Sequence, residues 1–435
     1  MKSVLQLLVA VFFTSNTNAQ NLYFPPISGN DWDTTSLSDL GWCSDQLPPL
    51  YDFLEAGNSK AFIVLKDGKI VIEKYFGTFT QDSLWYWASA GKTLTAFMVG
   101  KAQEDGYLSI SDTTSAHLGT GWTSLTSAQE EKITVRNQLA MTSGLDDGSG
   151  NVDCTLPSCL TYLADPGTRW SYHNAPYTLL QEVVTAASSL NFNSYMNTAL
   201  KTPTGMDGLF VPIGSYNRVY FSKPRSMARF GLLMLNNGNW NGTQVMNDLT
   251  YLNDMVTPSQ TINNAYGYLW WLNGQSSFML PQTQFVFSGQ PLPSAPADVY
   301  SALGKNGQIL NVSPSNNLVV VRMGNNPDNS FVPILYCDTM WQKLNAVMCG
   351  TVNINQSDKE LDFMIYPNPA TDLVTIKSTA PAKQIQIVNS VGQIVKTIVG
   401  SEQNTILSLQ GLPRGVYFAR VDLHEGQIVK KIILE

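Results

Sequence analysis

The chain has 435 residues, 43% hydrophobic and 14% charged, with a net charge of −7. That length suggests two or three domains, and that apolar content allows a sizeable core. An acidic, sparsely charged chain carries no electrostatic footprint for nucleic acid.

The N-terminus reads as a secretory signal peptide spanning residues 1–19. Lys2 supplies positive charge, Val4 to Phe13 is apolar apart from one Gln, and Thr17-Asn18-Ala19 offers a cleavable site. No other stretch is long and apolar enough to span a bilayer, so the mature protein is expected to be exported and soluble. An exported chain can keep disulfides. Cys154 and Cys159 lie around the turn-like Leu156-Pro157, which suits a small loop-closing bridge. Cys43, before the first helix, and Cys349, after the last helix of the main domain, are a second candidate pair, leaving Cys337 over.

Asn21 to Trp42 is polar and irregular, and Pro48 to Ala56 reads as a short helix. Ala61–Leu65 and Ile70–Tyr75 are β-branched runs around Lys66-Asp67-Gly68-Lys69, a strong hairpin signal. Thr93 to Gln103 is helical, with Leu94, Phe97 and Met98 on one side and Gly106 beyond its end. Helical patterns follow, clearest over Ala175–Ala187 and Lys223–Asn236, and Pro281 to Pro296 is a Pro-rich loop. Tyr300–Leu303, Ile309–Val312 and Leu318–Met323 read as strands and Val332–Met348 as a closing helix. A sheet built from both ends of this region, with a helical insertion between, explains the order. Residues 353–360 are linker-like. Beyond them six short strand-like runs separated by turns form a small all-β sandwich over residues 361–435.

Three histidines and no G-x-S-x-G elbow give little support to a Ser-His-Asp triad. No HExxH or Cys/His cluster supports a metal, and no cofactor is expected. The alternative base for a serine is a lysine. Ser89-Ala90-Gly91-Lys92 is S-x-x-K at the start of an apolar helix, where i and i+3 share a face. The helix start favours negative charge on Ser89, and a lysine in a closed site can lose its proton and act as base. Tyr172-His173-Asn174 follows, with Tyr172 able to ionise beside ammonium groups and Asn174 able to orient the lysine and a substrate carbonyl. The third element is Lys305-Asn306-Gly307, on a strand after Gly304. Lys305 could hold a substrate carboxylate, and Gly307 would let a substrate backbone approach. The backbone N–H of Gln308 could join that of Ser89 around an oxyanion. Each element alone is also explained by an ordinary helix, loop or β-turn.

Together they occur in the order S-x-x-K, Y-x-N, K-x-G, with Tyr172 83 positions after Ser89 and Lys305 133 positions after Tyr172. In this the chain resembles the penicillin-recognising serine enzymes, and in particular the class C β-lactamase family in its broad sense, with its DD-peptidases, esterases and D-amino-acid amidases. Gln138 to Leu145, Pro203 to Leu209, Met227 to Trp240 and Tyr266 to Trp271 are similar to that family too. The resemblance implies an α/β, β-lactamase/transpeptidase-like fold over residues 20–352: an antiparallel sheet flanked by helices, an all-helical lobe, and the cleft between. It implies Ser89 as acylated nucleophile, Lys92 and Tyr172 sharing the base work, and Asn174 and Lys305 positioning and polarising, with Asn306, Gly307 and Gln308 lining the substrate. Asn306 stands where lactamases and peptidases often carry Thr, and His173 is not required by the family. An ester or amide hydrolase acting on a small molecule or peptide is favoured over a dedicated β-lactamase or DD-peptidase, and over a non-catalytic cell-wall binding module.

Tyr366 to Asp372, Asn389 to Gln393, Leu412 to Tyr417 and Lys430 to Ile433 give the tail a resemblance to the C-terminal sorting domain of the type IX secretion system. This implies that secretion machinery as a partner, passage through the periplasm, and a secreted or outer-membrane-surface location. A carbohydrate-binding or adhesive β-module is the alternative for the tail.

Overall fold

A computed structural model describes residues 22–435 apart from 149, 329, 350–362, 379–380, 390–393, 401, 403 and 424–425. The signal peptide and the 353–360 linker lie outside the described residues.

The chain enters as an extended segment, then forms helix α1 (Leu47–Ala56), strands β1 (Ser59–Lys66) and β2 (Lys69–Tyr75), and the two-residue strand β3 (Trp85–Tyr86). The β1–β2 turn takes positive φ at both Asp67 and Gly68, the geometry that makes Asp-Gly a hairpin signal. A Cβ on Gly68 would come within 1.9 Å of the Tyr23 carbonyl oxygen. The N-terminal stretch read as irregular is therefore seated on this hairpin. Tyr23 donates to Asp67 O at 3.0 Å, Thr35 to Ile70 O at 2.9 Å, and the buried Trp32 indole to Gly68 O at 2.8 Å.

Helix α2 (Lys92–Glu104) follows, and the long helix α3 (Asn174–Ser188) packs on it from the helical lobe. Leu94, Phe97 and Met98 of α2 are buried as expected, but so are Thr93, Thr95, Ala96, Val99 and Gly100. A helix covered all round is a central one. Strands β4 (Leu209–Ile213) and β5 (Asn217–Ser222) join β3 in a small sheet, and helix α4 (Pro224–Leu235) opens with proline at its first position.

The main sheet is completed by β6 (Trp271–Leu272), β7 (Tyr300–Gly304), β8 (Gln308–Ser313) and β9 (Leu318–Gly324), and helix α5 (Ile334–Val347) closes the region. Its order is β2-β1-β9-β8-β7-β6, antiparallel throughout, so both chain ends of the region supply neighbouring strands. β8 and β9 are buried along their whole length. α4 lies so close that a Cβ on Gly231 would be 2.4 Å from Val319 Cγ1 and 2.7 Å from Leu310 Cδ1. From α5, the Trp341 indole and the Cys337 thiol both reach Asn311 Oδ1 of β8. The Pro-rich loop expected over Pro281–Pro296 contains a strand, Val286–Ser288, paired with Ser277–Met279.

The disulfides are Cys43–Cys349 and Cys154–Cys159, and Cys337 is buried and free. In the tail a three-stranded sheet (Phe363–Tyr366, Leu373–Ser378, Asn404–Ser408) and a four-stranded one (Ile394–Val399, Gln384–Asn389, Gly415–Leu423, Gly426–Leu434) share one core. Val374, Ile376 and Leu407 from the first meet Ile385, Ile387, Ala419, Val421 and Ile432 from the second. The strand Phe363–Tyr366 adds a seventh to the six read from sequence.

Candidate active site

Ser89 sits on a 3-10 turn, Ala88–Gly91, that runs directly into α2. Ala88 before it has φ +46°, which costs an L-residue about 1–2 kcal/mol. The turn is held on both sides: Trp87 N–H donates to Tyr220 O at 2.8 Å and its indole to Ser222 Oγ at 2.8 Å. Lys92, one turn on, brings Nζ to 2.7 Å from Ser89 Oγ and is only 2% exposed. Burial lowers the Lys92 pKa to about 7, while the nearby Asp153 carboxylate pulls it upward. At neutral pH a large share of Lys92 is therefore an amine whose lone pair can accept the Ser89 proton.

Tyr172 closes the other side. Its hydroxyl is hydrogen-bonded with Ser89, and the Lys92 ammonium position lies 4.9 Å from the Tyr172 ring centroid and 4.1 Å from that of Tyr177. Burial raises the Tyr172 pKa above the ordinary tyrosine range, and the hydrogen bond to Ser89 only partly opposes it. Burial thus favours a protonated Tyr172 hydroxyl at neutral pH. The segment carrying Tyr172 is set by Gln138 to Leu145. Ser171 N–H donates to Met141 O at 2.9 Å, Gly167 N–H to Thr142 O at 2.8 Å, and Gln138 Nε2 to Pro176 O at 2.7 Å. Tyr266 and Trp271 pack around the ring, with Trp271 stacked at 5.8 Å.

His173 is 3% exposed, its backbone N–H donates to Ser171 O, and its pKa is lowered by burial. Among the described residues no hydrogen bond joins its ring to Ser89. Asn174 begins α3, and its Nδ2 is turned onto Asp153 Oδ1 at 2.7 Å rather than toward a substrate carbonyl.

The third element needs correction. Lys305–Gly307 is a 3-10 turn between β7 and β8, not a strand. Lys305 is exposed, and Asn306, at φ +65°, donates from Nδ2 to the Tyr86 hydroxyl at 2.7 Å. Gly307 has φ +74° and a Cβ there would be 2.2 Å from Arg322 Nη1, so the turn itself requires a glycine here. Gln308 is fully buried, lies across the ladder from Gly304, and gives its side-chain amide to the backbone of Gly324. The glycine that meets the nucleophile is Gly304. An added Cβ would be 2.4 Å from Trp87 O, 2.9 Å from Ala90 N and 3.1 Å from Ser89 N. β6 pairs only with Tyr300 and Ser301, so the rest of β7 is an unpaired edge beside Ser89.

Sequence reasoning also missed Arg322. It is 0% exposed and donates to the carbonyls of Gly57, Asn306, Gly307 and Asn325 and to Ser59 Oγ. It fixes the turn after β7 from beneath. Its only signal was a charge inside an otherwise apolar strand run.

Comparison with known proteins agrees with this architecture. Residues 56–334 match the Beta-lactamase family model, and residues 364–435 match the Secretion system C-terminal sorting domain. Among solved structures, a Bacillus anthracis protein described as a 6-aminohexanoate-dimer hydrolase superimposes with TM-score 0.58 at 18% identity, covering 74% of this chain and 89% of that one. A penicillin-binding protein homologue from Caulobacter crescentus gives 0.53 at 14%, covering 71% and 99%. At these identities the likeness is one of fold. Penicillin-binding protein 4* of Bacillus subtilis is 28% identical over 153 residues, 32% of each chain. Beta-agarase A of Zobellia galactanivorans is 38% identical over 76 residues, 17% of this chain and 14% of that one. The chain thus spans no more than about a third of the length of the curated relatives it matches. The family-model match covers well over half of the chain, and the chain belongs to the β-lactamase family of serine hydrolases and penicillin-binding proteins, with a C-terminal sorting domain attached.

Proposed function

We propose that the protein is a secreted serine hydrolase that cleaves an ester or amide bond through an acyl-Ser89 intermediate. The observation that carries this reading is the 2.7 Å contact between Ser89 Oγ and a buried Lys92 whose pKa is lowered to about 7. Neutral Lys92 accepts the Ser89 proton as Oγ attacks the substrate carbonyl, giving a tetrahedral oxyanion and a Lys92 ammonium. The close approach of Gly304 to Ser89 N supports the Ser89 N–H and the backbone at the Gly304–Lys305 end of β7 as the donors to that oxyanion. The protonated Tyr172 gives its proton to the leaving group and regains one from Lys92. Water then repeats the attack on the acyl-enzyme, the same groups taking its proton and returning one to Ser89.

Trp170, Tyr266 and Trp271 are buried and pack behind Tyr172 without lining the cleft, and the exposed Lys305 suits a substrate carboxylate. A general esterase or amidase is favoured over a β-lactamase or DD-peptidase proper. Residues 20–352 form the hydrolase domain and residues 361–435 direct export through the type IX machinery, after removal of a signal peptide at residues 1–19. Reaction with a fluorophosphonate or fluorescent penicillin, followed by peptide mass mapping, tests the nucleophile. Wild type should be modified on Ser89 and Ser89→Ala should not; modification of the mutant at normal rate refutes the assignment. Nitrocefin, p-nitrophenyl esters and D-alanyl peptides then separate the substrate classes.

A further inference from the structure

The two tyrosines beside Lys92 are not equivalent. Tyr172 reaches Ser89 with its hydroxyl, and its ring centroid lies 4.9 Å from Lys92 Nζ. Tyr177 turns the face of its ring to the lysine, with the centroid 4.1 Å from Nζ, and its hydroxyl is engaged with Thr178. A cation over an aromatic face is attracted by the quadrupole of the ring, most strongly where water is excluded. Water is excluded here: Lys92 is 2% exposed and Tyr177 5%. Burial pushes the Tyr177 hydroxyl up to about 12, so the ring stays neutral around neutral pH.

The packing of two helices builds this contact in. Lys92 and Thr95 are one turn apart on α2, and Tyr177 and Gln181 one turn apart on α3. Gln181 Nε2 donates to Thr95 Oγ1 at 3.2 Å, and both side chains are buried, which fixes the spacing of the helices one turn beyond the lysine. Just ahead of Tyr177, Pro176 O accepts from Gln138 Nε2 at 2.7 Å. The ring is thereby held at a set distance from Nζ, whose hydrogen-bond partner is Ser89 Oγ. The carboxylate that acts on Lys92, Asp153, is itself committed to Asn174 Nδ2 at 2.7 Å.

We propose that Tyr177 is a positioning residue whose ring face stabilises the ammonium that Lys92 becomes on taking the Ser89 proton. This inference rests on the Ser89–Lys92 hydrolase reading and deepens it. As Oγ bonds to the substrate carbonyl carbon, the carbonyl π pair moves onto oxygen and the Oγ proton passes to the Nζ lone pair. A neutral amine gains little from the ring and an ammonium gains much, so the contact strengthens toward the transition state. Tyr177 thus restores part of the basicity that burial takes from Lys92.

The test follows, against pH, the rate at which a fluorophosphonate modifies Ser89. Tyr177→Phe keeps the ring and removes the hydroxyl; Tyr177→Leu keeps an apolar filling and removes the ring. Phenylalanines with one, two or three ring fluorines, incorporated at position 177, weaken the quadrupole stepwise at nearly constant size. Among the described residues the groups facing Lys92 are Ser89 from its own turn, Tyr172 from the segment before α3, Tyr177 from α3, and Asp153 from the loop bridged by Cys154–Cys159. Only the side chain at 177 changes across the series. Tyr177→Phe should leave the acid limb within about 0.3 pH unit of wild type. Tyr177→Leu should move it down by about one unit, a tenfold loss of proton affinity, and slow modification above the limb roughly 3- to 10-fold. Each added fluorine should move the limb further in the same direction. A side chain that only fills space would slow the reaction without moving the limb. A limb unmoved by leucine and by fluorination, or moved as far by Tyr177→Phe as by Tyr177→Leu, would overturn the proposal, and the fluorinated series decides alone if the leucine variant does not fold. Wild type that is not modified on Ser89 at all would instead sink the hydrolase reading.

Discussion

Gly304 leaves no room for a side chain against Ser89: a Cβ added to it would lie 3.1 Å from Ser89 N and 2.4 Å from the carbonyl oxygen of Trp87. Gly304 itself has ordinary extended dihedrals, so the requirement is contact and not conformation. The first prediction is therefore Gly304→Ala. Forcing the nucleophile turn away from the β7 edge should cut acylation by roughly 10²–10³, the scale of a lost oxyanion donor. The accompanying overpacking should cost about 1–3 kcal/mol in chemical denaturation. Stopped-flow acylation at normal rate in this variant would mean that the β7 edge takes no part in the reaction.

A second prediction concerns pH. Burial holds Lys92 down to about 7, and the base is its deprotonated form. Protonation on acidification therefore removes activity: kcat/KM should rise with pH through about 7 and level off above it. Tyr172 is raised by burial, so its ionisation should add no limb near neutrality. An acid limb near 4, where carboxylates titrate, would point to a different base. Lys92→Ala and Tyr172→Phe should each slow acylation by roughly 10²–10⁴.

Arg322→Met is the third. The guanidinium satisfies the carbonyls of Gly57, Asn306, Gly307 and Asn325 from inside the sheet. Methionine fills much of the volume and satisfies none of them. Destabilisation of about 3–5 kcal/mol is expected, as for removal of one member of a buried polar network. Because the turn after β7 is freed, kcat should also fall in the fraction that remains folded. Thermal unfolding and active-site titration separate the two effects.

The fourth prediction is that a chain ending near residue 352 hydrolyses substrate as the full mature form does. The two regions have separate cores, and Ser89, Lys92, Tyr172 and Gly304 all belong to the first. Loss of turnover with an unchanged circular dichroism spectrum would show that the tail contributes to the site. In the native host the same truncation should remain in the periplasm.

Much of the architecture was legible because its signals are local. Asp67-Gly68 announces a hairpin, alternation announces the tail strands, and Ser89 and Lys92 are only three residues apart on one helical turn. The third element misled because close approach is a property of two distant segments. Nothing in Leu303-Gly304-Lys305-Asn306-Gly307 says which glycine faces Trp87 and which faces Arg322. Asp153 escaped notice for a similar reason: it lies on an irregular loop with no periodicity, and only the fold brings it to Asn174. β3, two residues long, is shorter than any alternation can reveal.

The Cys43–Cys349 bridge joins positions 306 residues apart, just before the first helix and just after the last helix of the hydrolase region. In covalent terms that region is a closed ring, and the sorting domain follows it in the chain beyond Cys349. In chain-entropy terms so long a loop is worth on the order of 5 kcal/mol to the folded state. A cut in the chain beyond Cys349 leaves the ring intact, and a nick in a loop inside the ring releases no fragment. A cut beyond the ring and a nick within it are thereby topologically distinct events, and only the first breaks the covalent link between the two regions of the chain.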